Sequence, residues 1–372
     1  MVGRESTLEI MVLDNSFWKG KRVFLTGHTG FKGAWLSLWL KQLGADVYGY
    51  SLTAPTTPNF FTLCNVIDDL KEHTIGDIRN KVQLVEALSF ARPEIVLHLA
   101  AQALVKTAYE LPIETYETNV MGTVNLFEAV RKVRSVRVIL NVTTDKCYEN
   151  KEWIWPYREE EPMGGFDPYS SSKACSELIT ASYRQSFFSA KGISVASARA
   201  GNVIGGGYWA PHRLIPDFMR ALEKKEPLCI RFPKAIRPWQ HVLEPLSGYL
   251  TLAEKLYTAG ESFAEGWNFG PSSEAACSVE KVLHTLAAAF PQAKWNCDLS
   301  PQLHEACYLK LDSHKARERL NWFCKWSIDE ALHKTAEWYH AWLQNKQMRE
   351  ISLEQIHQYE IGLTQNCSSK AS

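Results

Sequence analysis

Apolar segments of strand length alternate with segments of helical periodicity over the first half of the chain. Most of the apolar segments are rich in Val, Ile and Leu, which is typical of parallel strands buried on both faces. Strands are predicted at 22–25, 46–50, 74–79, 94–101, 136–142 and 195–199. Helices are predicted between them at 34–43, 81–91, 112–133 and 169–188. The alternation predicts an α/β fold with a doubly wound parallel sheet.

The alternation weakens beyond residue 200, where proline-rich and aromatic segments replace it. We therefore expect a smaller C-terminal substrate-binding lobe, with helices at 214–224, 279–290 and 328–343 and a short strand at 228–232, whereas a helix at 246–259 returns to the first domain. The predicted division is a first domain at 17–199 to which 242–262 returns, a lobe at 200–241 and 263–345, and a C-terminal extension at 346–372. A loosely held leader is expected at 1–16, and the extension is expected to form an extra helix and a frayed tail.

The segment KRVFLTGHTGFKG at 21–33 places three glycines directly after the first predicted strand. Gly27, Gly30 and Gly33 then lead into the first long helix. Glycine permits a tight turn and a close backbone approach, and the free N–H groups of a helix N-terminus favour a diphosphate. The spacing differs from the commonest dinucleotide fingerprint, so an ordinary tight turn is the alternative interpretation. We favour a Rossmann-type dinucleotide-binding domain.

The type of dinucleotide is only weakly indicated. The second predicted strand ends in SLT at 51–53, which contains neither an acidic residue for the ribose of NAD nor an arginine for the 2′-phosphate of NADP. The lack of such an arginine favours NAD. Small residues at Ala100 and Ala101 end a later strand, where a cofactor could lie close to the backbone. His98 lies within that apolar run and is interpreted as a core histidine.

Two polar motifs are candidates for chemistry. TTDK at 143–146 follows the strand at 136–142, and α/β folds place their chemistry at the carboxyl ends of parallel strands. Tyr169 and Lys173 are four residues apart and therefore share one face of a helix. A lysine ammonium favours the phenolate of a nearby tyrosine and lowers a pKa that starts at about 10. Such a pair can exchange a proton with a substrate hydroxyl.

Composition excludes several classes of partner. The chain has 41 Lys+Arg and 41 Asp+Glu residues, so net charge gives no argument for nucleic acid or an anionic membrane. Its nine cysteines form neither a C-x-x-C pair nor a Cys/His cluster of zinc spacing, and no metal site is predicted. No apolar run approaches the roughly 20 residues of a membrane span. Charged residues among the first sixteen argue against a secretory signal, and the chain is expected to be cytoplasmic.

Several motifs together resemble one superfamily. The chain resembles the extended short-chain dehydrogenase/reductases in three motifs, which are TGHTGFKG at 26–33, the Thr144-Asp145 pair and YSSSK at 169–173. Within that superfamily, the chain resembles the CDP-glucose 4,6-dehydratases in TTDK at 143–146, ARAGNVIGGG at 198–207 and RPWQHVLEPLSGYL at 237–250. The likeness runs from about residue 17 to about residue 343. Related dTDP-glucose enzymes usually carry glutamate at the position of Lys146, and family members usually carry aspartate at that of Tyr208.

The resemblance implies an NAD-dependent lyase that converts CDP-D-glucose to CDP-4-keto-6-deoxy-D-glucose and water, for deoxysugar biosynthesis such as that of lipopolysaccharide O-antigen. Tyr169 would take the proton of the sugar 4-hydroxyl, while Lys173 would bind the nicotinamide ribose. Thr144 would hydrogen-bond the 4-oxygen, and Asp145 would protonate the departing 6-hydroxyl. Lys146 would remove the C5 proton, or would act as a cation that stabilises the enolate while Asp145 takes both proton roles.

The resemblance also implies ligand contacts and an assembly. The matching positions for NAD are Gly27, Thr29, Gly30, Phe31, Gly33, Asp77, Ile78, Ala100, Gln102, Asn119, Tyr169 and Lys173. Those for the nucleotide sugar are Asn202, Arg213, Arg237 and His241. A homodimer or higher homo-oligomer is expected through the helices at 112–133 and 169–188. The alternatives are dehydration or 4-epimerisation of another nucleotide sugar and, with less support, a non-catalytic dinucleotide-binding regulator.

Overall fold

The computed structural model describes residues 13–271, 276–297 and 309–365. Residues 1–12 of the predicted leader and the predicted frayed tail at 366–372 lie outside these ranges. The strands are β1 (Arg22–Thr26), β2 (Asp46–Ser51), β3 (Leu70–Ile75), β4 (Ile95–His98), β5 (Val138–Val142), β6 (Ser194–Ala200), β7 (Val203–Ile204), β8 (Leu228–Ile230), β9 (Ile236–Pro238), β10 (Gln240–His241), β11 (Gly266–Phe269), β12 (Ala276–Ser278) and β13 (Trp295–Cys297).

Seven strands of the described part form a central sheet in the order β11-β6-β5-β4-β1-β2-β3. Each neighbouring pair in this sheet is parallel. β4 and β5 are buried at every position, as expected for strands covered on both faces. The strand order reverses between β1 and β4, where folds of this type bind their ligands. The predicted doubly wound parallel sheet is confirmed.

Helices cover both faces of the sheet. They are α1 (Asn15–Trp18), α2 (Phe31–Gln42), α3 (Phe60–Leu63), α4 (Lys81–Ala91), α5 (Val105–Glu110), α6 (Pro112–Tyr116), α7 (Gly122–Val130), α8 (Pro168–Tyr183), α9 (Leu214–Lys224), α10 (Leu243–Ala259), α11 (Val279–Ala289), α12 (His314–Leu320), α13 (Ile328–Leu343) and α14 (Met348–Gln365). The extra helix predicted for the C-terminal extension is α14. Its Tyr359 is fully buried, so this helix belongs to the folded core.

Two predicted elements differ from the structure. The third strand was predicted at 74–79 but lies at 70–75, where it pairs with β2 at the edge of the sheet. None of its six residues is buried, so the strand has no apolar pattern by which it could be located. The helix predicted at 112–133 is interrupted by a π-helical turn at 117–121 and ends at Val130.

One strand of the central sheet was missed. Residues 266–269, which were assigned to the lobe, form β11 and pair with β6 in the central sheet. The segment GWNF is only four residues long and shows no periodicity, so length and pattern both failed to indicate it. The other limits of the predicted domain division stay a prediction.

Candidate active site

A cavity of about 690 Å³ opens at the carboxyl ends of the central strands. This is the edge of the sheet at which α/β folds bind ligands. Thirteen of the predicted site residues line it, namely Gly27, Gly30, Phe31, Gly33, Gln102, Thr144, Asp145, Lys146, Tyr169, Lys173, Asn202, Arg213 and Arg237. The structure therefore brings the glycine loop, the TTDK motif and the Tyr/Lys pair together in one cavity.

The glycine loop forms a tight cradle at the start of α2. Gly27 has a φ of +78°, and a Cβ atom added to it would lie 2.7 Å from the backbone nitrogen of Ala100. A Cβ atom at Gly33 would lie 2.1 Å from the carbonyl oxygen of Gly27, so neither position tolerates a side chain. Gly30 caps α2 without a side-chain hydrogen bond, which leaves first-turn N–H groups available to an anion. The cradle fits the diphosphate of a dinucleotide.

The TTDK motif forms a short 3₁₀ turn directly after β5. Thr144 caps this turn, because its hydroxyl oxygen accepts a hydrogen bond from the backbone N–H of Lys146 at 3.3 Å. The same hydroxyl donates to Oδ1 of Asp145 at 3.0 Å. Burial raises the pKa of Asp145, opposed by the charge of Lys146 and by this hydrogen bond. Asp145 therefore holds a proton more readily than an exposed aspartate, which suits a proton donor.

Tyr169 lies at the start of α8, which Asp167 caps by accepting a hydrogen bond from the N–H of Ser170 at 3.0 Å. Burial raises the pKa of Tyr169 to about 12, opposed by a hydrogen bond with Thr144 and by the charge of Arg213. The expectation that Lys173 lowers this pKa below its usual value is wrong for this structure. Desolvation of the phenolate outweighs the charges around it, and the ammonium of Lys173 donates to the carbonyl of Val142 at 3.0 Å.

A buried ion pair beneath Lys173 was not predicted. Burial lowers the pKa of Lys173 to about 8, and the carboxylate of Glu177 one helical turn later opposes that shift. Glu177 accepts two hydrogen bonds from Arg199 of β6, at 2.9 and 3.0 Å. The position of Glu177 four residues after Lys173 could be read from the sequence. Its pairing with a strand residue could not. The pair fixes the helix face that presents Tyr169 and Lys173 to the cavity.

Five predicted cofactor residues do not line the cavity. They are Thr29, Asp77, Ile78, Ala100 and Asn119. The carboxylate of Asp77 is paired with Arg79 at 2.6 Å. Asn119 accepts from the N–H of Gln102 at 2.9 Å and donates to the hydroxyl of Ser172 at 2.9 Å, so it joins the end of β4 to α8. Cofactor contact by these five residues stays a prediction.

The two histidines singled out by the sequence are both buried. His98 bonds through Nδ1 to the hydroxyl of Thr26 at 2.7 Å, which confirms it as a core residue. His241 lies between the rings of Trp35 and Trp326 and outside the cavity wall. Its position gives no support to the predicted contact with substrate. Burial lowers the pKa of His241 to about 3, so the ring is neutral.

Two cavity residues were missed as site residues. Lys32 lies in the glycine loop motif itself, where the sequence drew attention to the glycines, Thr29 and Phe31. Tyr208 follows the triple glycine and stacks on Phe31 with ring centroids 4.4 Å apart and an interplanar angle of 14°. Tyrosine replaces the usual aspartate at position 208, and this difference could be seen in the sequence. The contact of its ring with the glycine loop could not.

Neither a metal site nor a membrane-spanning helix is found in the described ranges. They contain no group of three or more His, Cys, Asp or Glu residues that could hold a metal ion. Across the same ranges, each helix is too short or too polar to span a bilayer.

The sheet, the glycine cradle and the Tyr169/Lys173 pair define a Rossmann-type enzyme of the short-chain dehydrogenase/reductase class. More narrowly, the chain belongs to the GDP-mannose 4,6 dehydratase family, whose model matches residues 24–335.

Two curated relatives are named for different nucleotide sugars. The chain is 51% identical over 359 residues to a CDP-glucose 4,6-dehydratase of Salmonella typhimurium, covering 95% of this chain and 100% of the relative. It is 25% identical over 356 residues to a dTDP-glucose 4,6-dehydratase of Xanthomonas campestris pv. campestris, covering 89% and 97%. The CDP-glucose enzyme is thus much the more similar of the two.

Two solved structures share the fold. A dTDP-glucose 4,6-dehydratase from Bacillus anthracis in complex with NAD superimposes with a TM-score of 0.71 at 21% identity, covering 86% of this chain and 97% of that chain. A UDP-glucose 4-epimerase from Thermotoga maritima with UDP-glucose gives a TM-score of 0.75 at 22% identity, covering 86% and 99%. At these identities the likeness establishes the fold alone.

Proposed function

We propose that this protein is an NAD-dependent hydro-lyase that converts CDP-D-glucose to CDP-4-keto-6-deoxy-D-glucose and water, in deoxysugar biosynthesis. The observation that carries the proposal is that Asp145 and Tyr169 line one cavity on either side of Thr144, whose hydroxyl donates to Asp145 and opposes the rise in the pKa of Tyr169. It provides a proton donor and a proton acceptor for two positions of the same sugar. The 51% identity to a CDP-glucose 4,6-dehydratase supports both the reaction and the nucleotide.

The oxidation half of the reaction uses α8. NAD, when bound, would supply the acceptor for the C4 hydride and the donor of the same hydride to C6. Tyr169 accepts the proton of the 4-hydroxyl, and Thr144 donates a hydrogen bond that stabilises the charged oxygen. Lys173 would hold the nicotinamide ribose, and the glycine cradle around Gly27 would hold the diphosphate. Arg213 and Arg237 line the lobe side of the cavity, where guanidinium groups suit the second diphosphate, that of the nucleotide sugar.

The elimination half uses the turn after β5. The C4 ketone acidifies the C5 proton, and the C5–H electron pair forms the new double bond as the C6–O bond breaks. Asp145 gives its proton to the departing 6-hydroxyl, so water leaves. Lys146 lines the same cavity and acts as the C5 base, which returns a proton to C5 when the hydride reaches C6, or as a cation that stabilises the enolate while Asp145 takes both proton roles. A 4-epimerase breaks no C6–O bond and has no need of an acid there, so Asp145 favours the dehydratase.

A direct assay tests the proposal. The purified protein is incubated with CDP-, dTDP-, UDP- and GDP-glucose, and the alkaline ultraviolet absorbance of a 4-keto-6-deoxy product is measured. We expect product from CDP-glucose, at a rate well above that from the other three. Product from another nucleotide sugar alone would reassign the substrate. Absence of product from all four would contradict the dehydratase itself.

We propose further that the protein is a cytoplasmic homodimer. Ile113 of α6, Met121 of the π-helical turn and Leu178 of α8 are 75%, 51% and 59% exposed, although each is a large apolar residue. These elements pack on one another, so the three side chains are carried by one packed group of helices. Exposed apolar surface of this kind marks protein–protein contacts. The cysteines of the described ranges are free, which supports a reducing compartment.

A further inference from the structure

Lys32 is a charged residue of the cavity wall for which the mechanism above has no use. It is the second residue of α2, between Phe31 and Gly33 of the glycine cradle. It lines the cavity together with Asp145 and Lys173. Within the described ranges, its ammonium makes neither a hydrogen bond nor an ion pair.

The surroundings of Lys32 disfavour a positive charge. A helix of twelve residues begins at Phe31, and the N-terminal end of a helix carries partial positive charge. Burial lowers the pKa of Lys32 to about 8; the charge of Asp145 opposes this shift, whereas the charges of Lys173 and Arg213 contribute to it. A cation held among other cations in a concave site is best accounted for by an anion that binds beside it.

The position of Lys32 selects between the two diphosphates that the cavity is expected to take. Its backbone belongs to the cradle in which Gly27 and Gly33 leave no room for side chains. Arg213 instead lies before α9, where its guanidinium donates to the carbonyl of Ala103 at 2.6 Å. Resting on the proposed function, we infer that Lys32 binds the dinucleotide diphosphate held by the glycine cradle, and that Arg213 and Arg237 serve the nucleotide sugar.

The test compares nucleotide affinities of variants by isothermal titration calorimetry. NAD⁺, NADH and ADP-ribose share the diphosphate but differ in the nicotinamide, so Lys32→Met is expected to weaken all three by about tenfold, as for loss of one charge-assisted contact. Lys32→Arg keeps the charge and is expected to remain within about threefold of the wild type. Lys41→Met is the matched control, because it removes an exposed lysine from the same helix. It is expected to leave all three affinities unchanged.

Several outcomes would overturn the inference. They are unchanged affinity of Lys32→Met for NAD⁺, NADH and ADP-ribose, a loss of affinity confined to CDP when CDP is titrated in parallel, and a wild type that binds none of the first three. Far-UV circular dichroism checks folding, and Lys32→Gln replaces Lys32→Met should the latter fail to fold. Wild-type turnover of CDP-glucose is measured separately. A wild type that binds NAD⁺ but yields no 4-keto sugar would contradict the proposed function and leave the role of Lys32 intact.

Discussion

At the scale of single residues, burial raises the pKa of both Asp145 and Tyr169, which favours the proposed role of the first and opposes that of the second. Burial raises the pKa of Asp145, and the proposed elimination requires this residue to hold a proton. Burial also raises the pKa of Tyr169 to about 12, although this residue must accept a proton. At pH 7 a pKa of 12 corresponds to about 7 kcal/mol for forming the phenolate. Positive charge close to the Tyr169 hydroxyl must therefore supply most of that stabilisation in the loaded enzyme.

The role of Lys146 is decided by a hydrogen-exchange measurement. As the C5 base, which we favour, it is required for exchange of the C5 proton of the 4-keto product in deuterium oxide. Lys146→Ala is then expected to slow both turnover and exchange by at least about 100-fold, as for loss of a general base. Exchange is followed by NMR, and Lys151→Ala, at an exposed lysine a few residues later, is the control. Retained exchange with lost turnover would instead make Lys146 the enolate-stabilising cation.

At the scale of elements, the sequence was informative where burial was complete. β4 and β5 are short apolar runs buried at every position, and both were located within a few residues. β3 was misplaced because an edge strand with no buried residue has no pattern to read. β11 was missed because four residues are too few to show a period.

The same limit applies to the site. Glycine spacing, the TTDK turn and the Tyr169/Lys173 pair are local patterns, and each pointed to residues that do line the cavity. The Glu177–Arg199 ion pair and the Phe31–Tyr208 stack join residues far apart in the chain. Such contacts depend on how strands and helices pack, which periodicity does not specify. His241 was assigned to the substrate through its motif, and the packing of its short strand β10 places it in the core instead.

The burial of His241 predicts a measurable pH dependence of stability. Its pKa is about 3 when folded and about 6.5 when unfolded, so the unfolded state binds the proton as pH falls and the folded state is destabilised. Between pH 7 and pH 5 this group alone removes about 2 kcal/mol of unfolding free energy. We expect the loss over that range, measured by urea denaturation, to be smaller by about 2 kcal/mol in His241→Phe than in the wild type.

The comparison uses each variant as its own reference, so a change in packing at position 241 cancels between the two pH values. His333→Phe, at an exposed position of α13, controls for removal of an imidazole. An identical loss for His241→Phe and the wild type would show that His241 can be protonated in the folded state.

At the scale of the whole molecule, the C-terminal extension joins the dinucleotide-binding face to the rest of the chain. Trp39 of α2 donates from its indole to Glu360 of α14 at 2.8 Å. Tyr359 donates to the buried carboxylate of Glu244 in α10 at 2.7 Å. α14 therefore holds the helix that starts at the glycine cradle against the helix that follows β10. A substitution in the extension can thus disturb the cradle without touching the cavity.

The proposed dimer is tested by a charge introduced on its apolar surface. The double variant Ile113→Glu/Leu178→Glu is expected to weaken self-association by at least about 100-fold, because two carboxylates would be buried without partners. Sedimentation equilibrium should then report a mass near the 42.3 kDa of one chain. Phe90→Glu is the control, since Phe90 is 69% exposed on α4, a helix outside the proposed interface. A wild type that is already monomeric, or a double variant that still associates, would contradict this interface.

The stack of Tyr208 on Phe31 has a kinetic consequence. These rings join the segment after β7 to the first residue of α2, directly over the cradle. We expect a dinucleotide seated there to dissociate only after the two rings separate, and the sugar nucleotide to approach from the side of Arg213 and Arg237. We therefore expect an ordered cycle, in which the sugar nucleotide exchanges with solvent at every turnover and one dinucleotide molecule serves many successive turnovers.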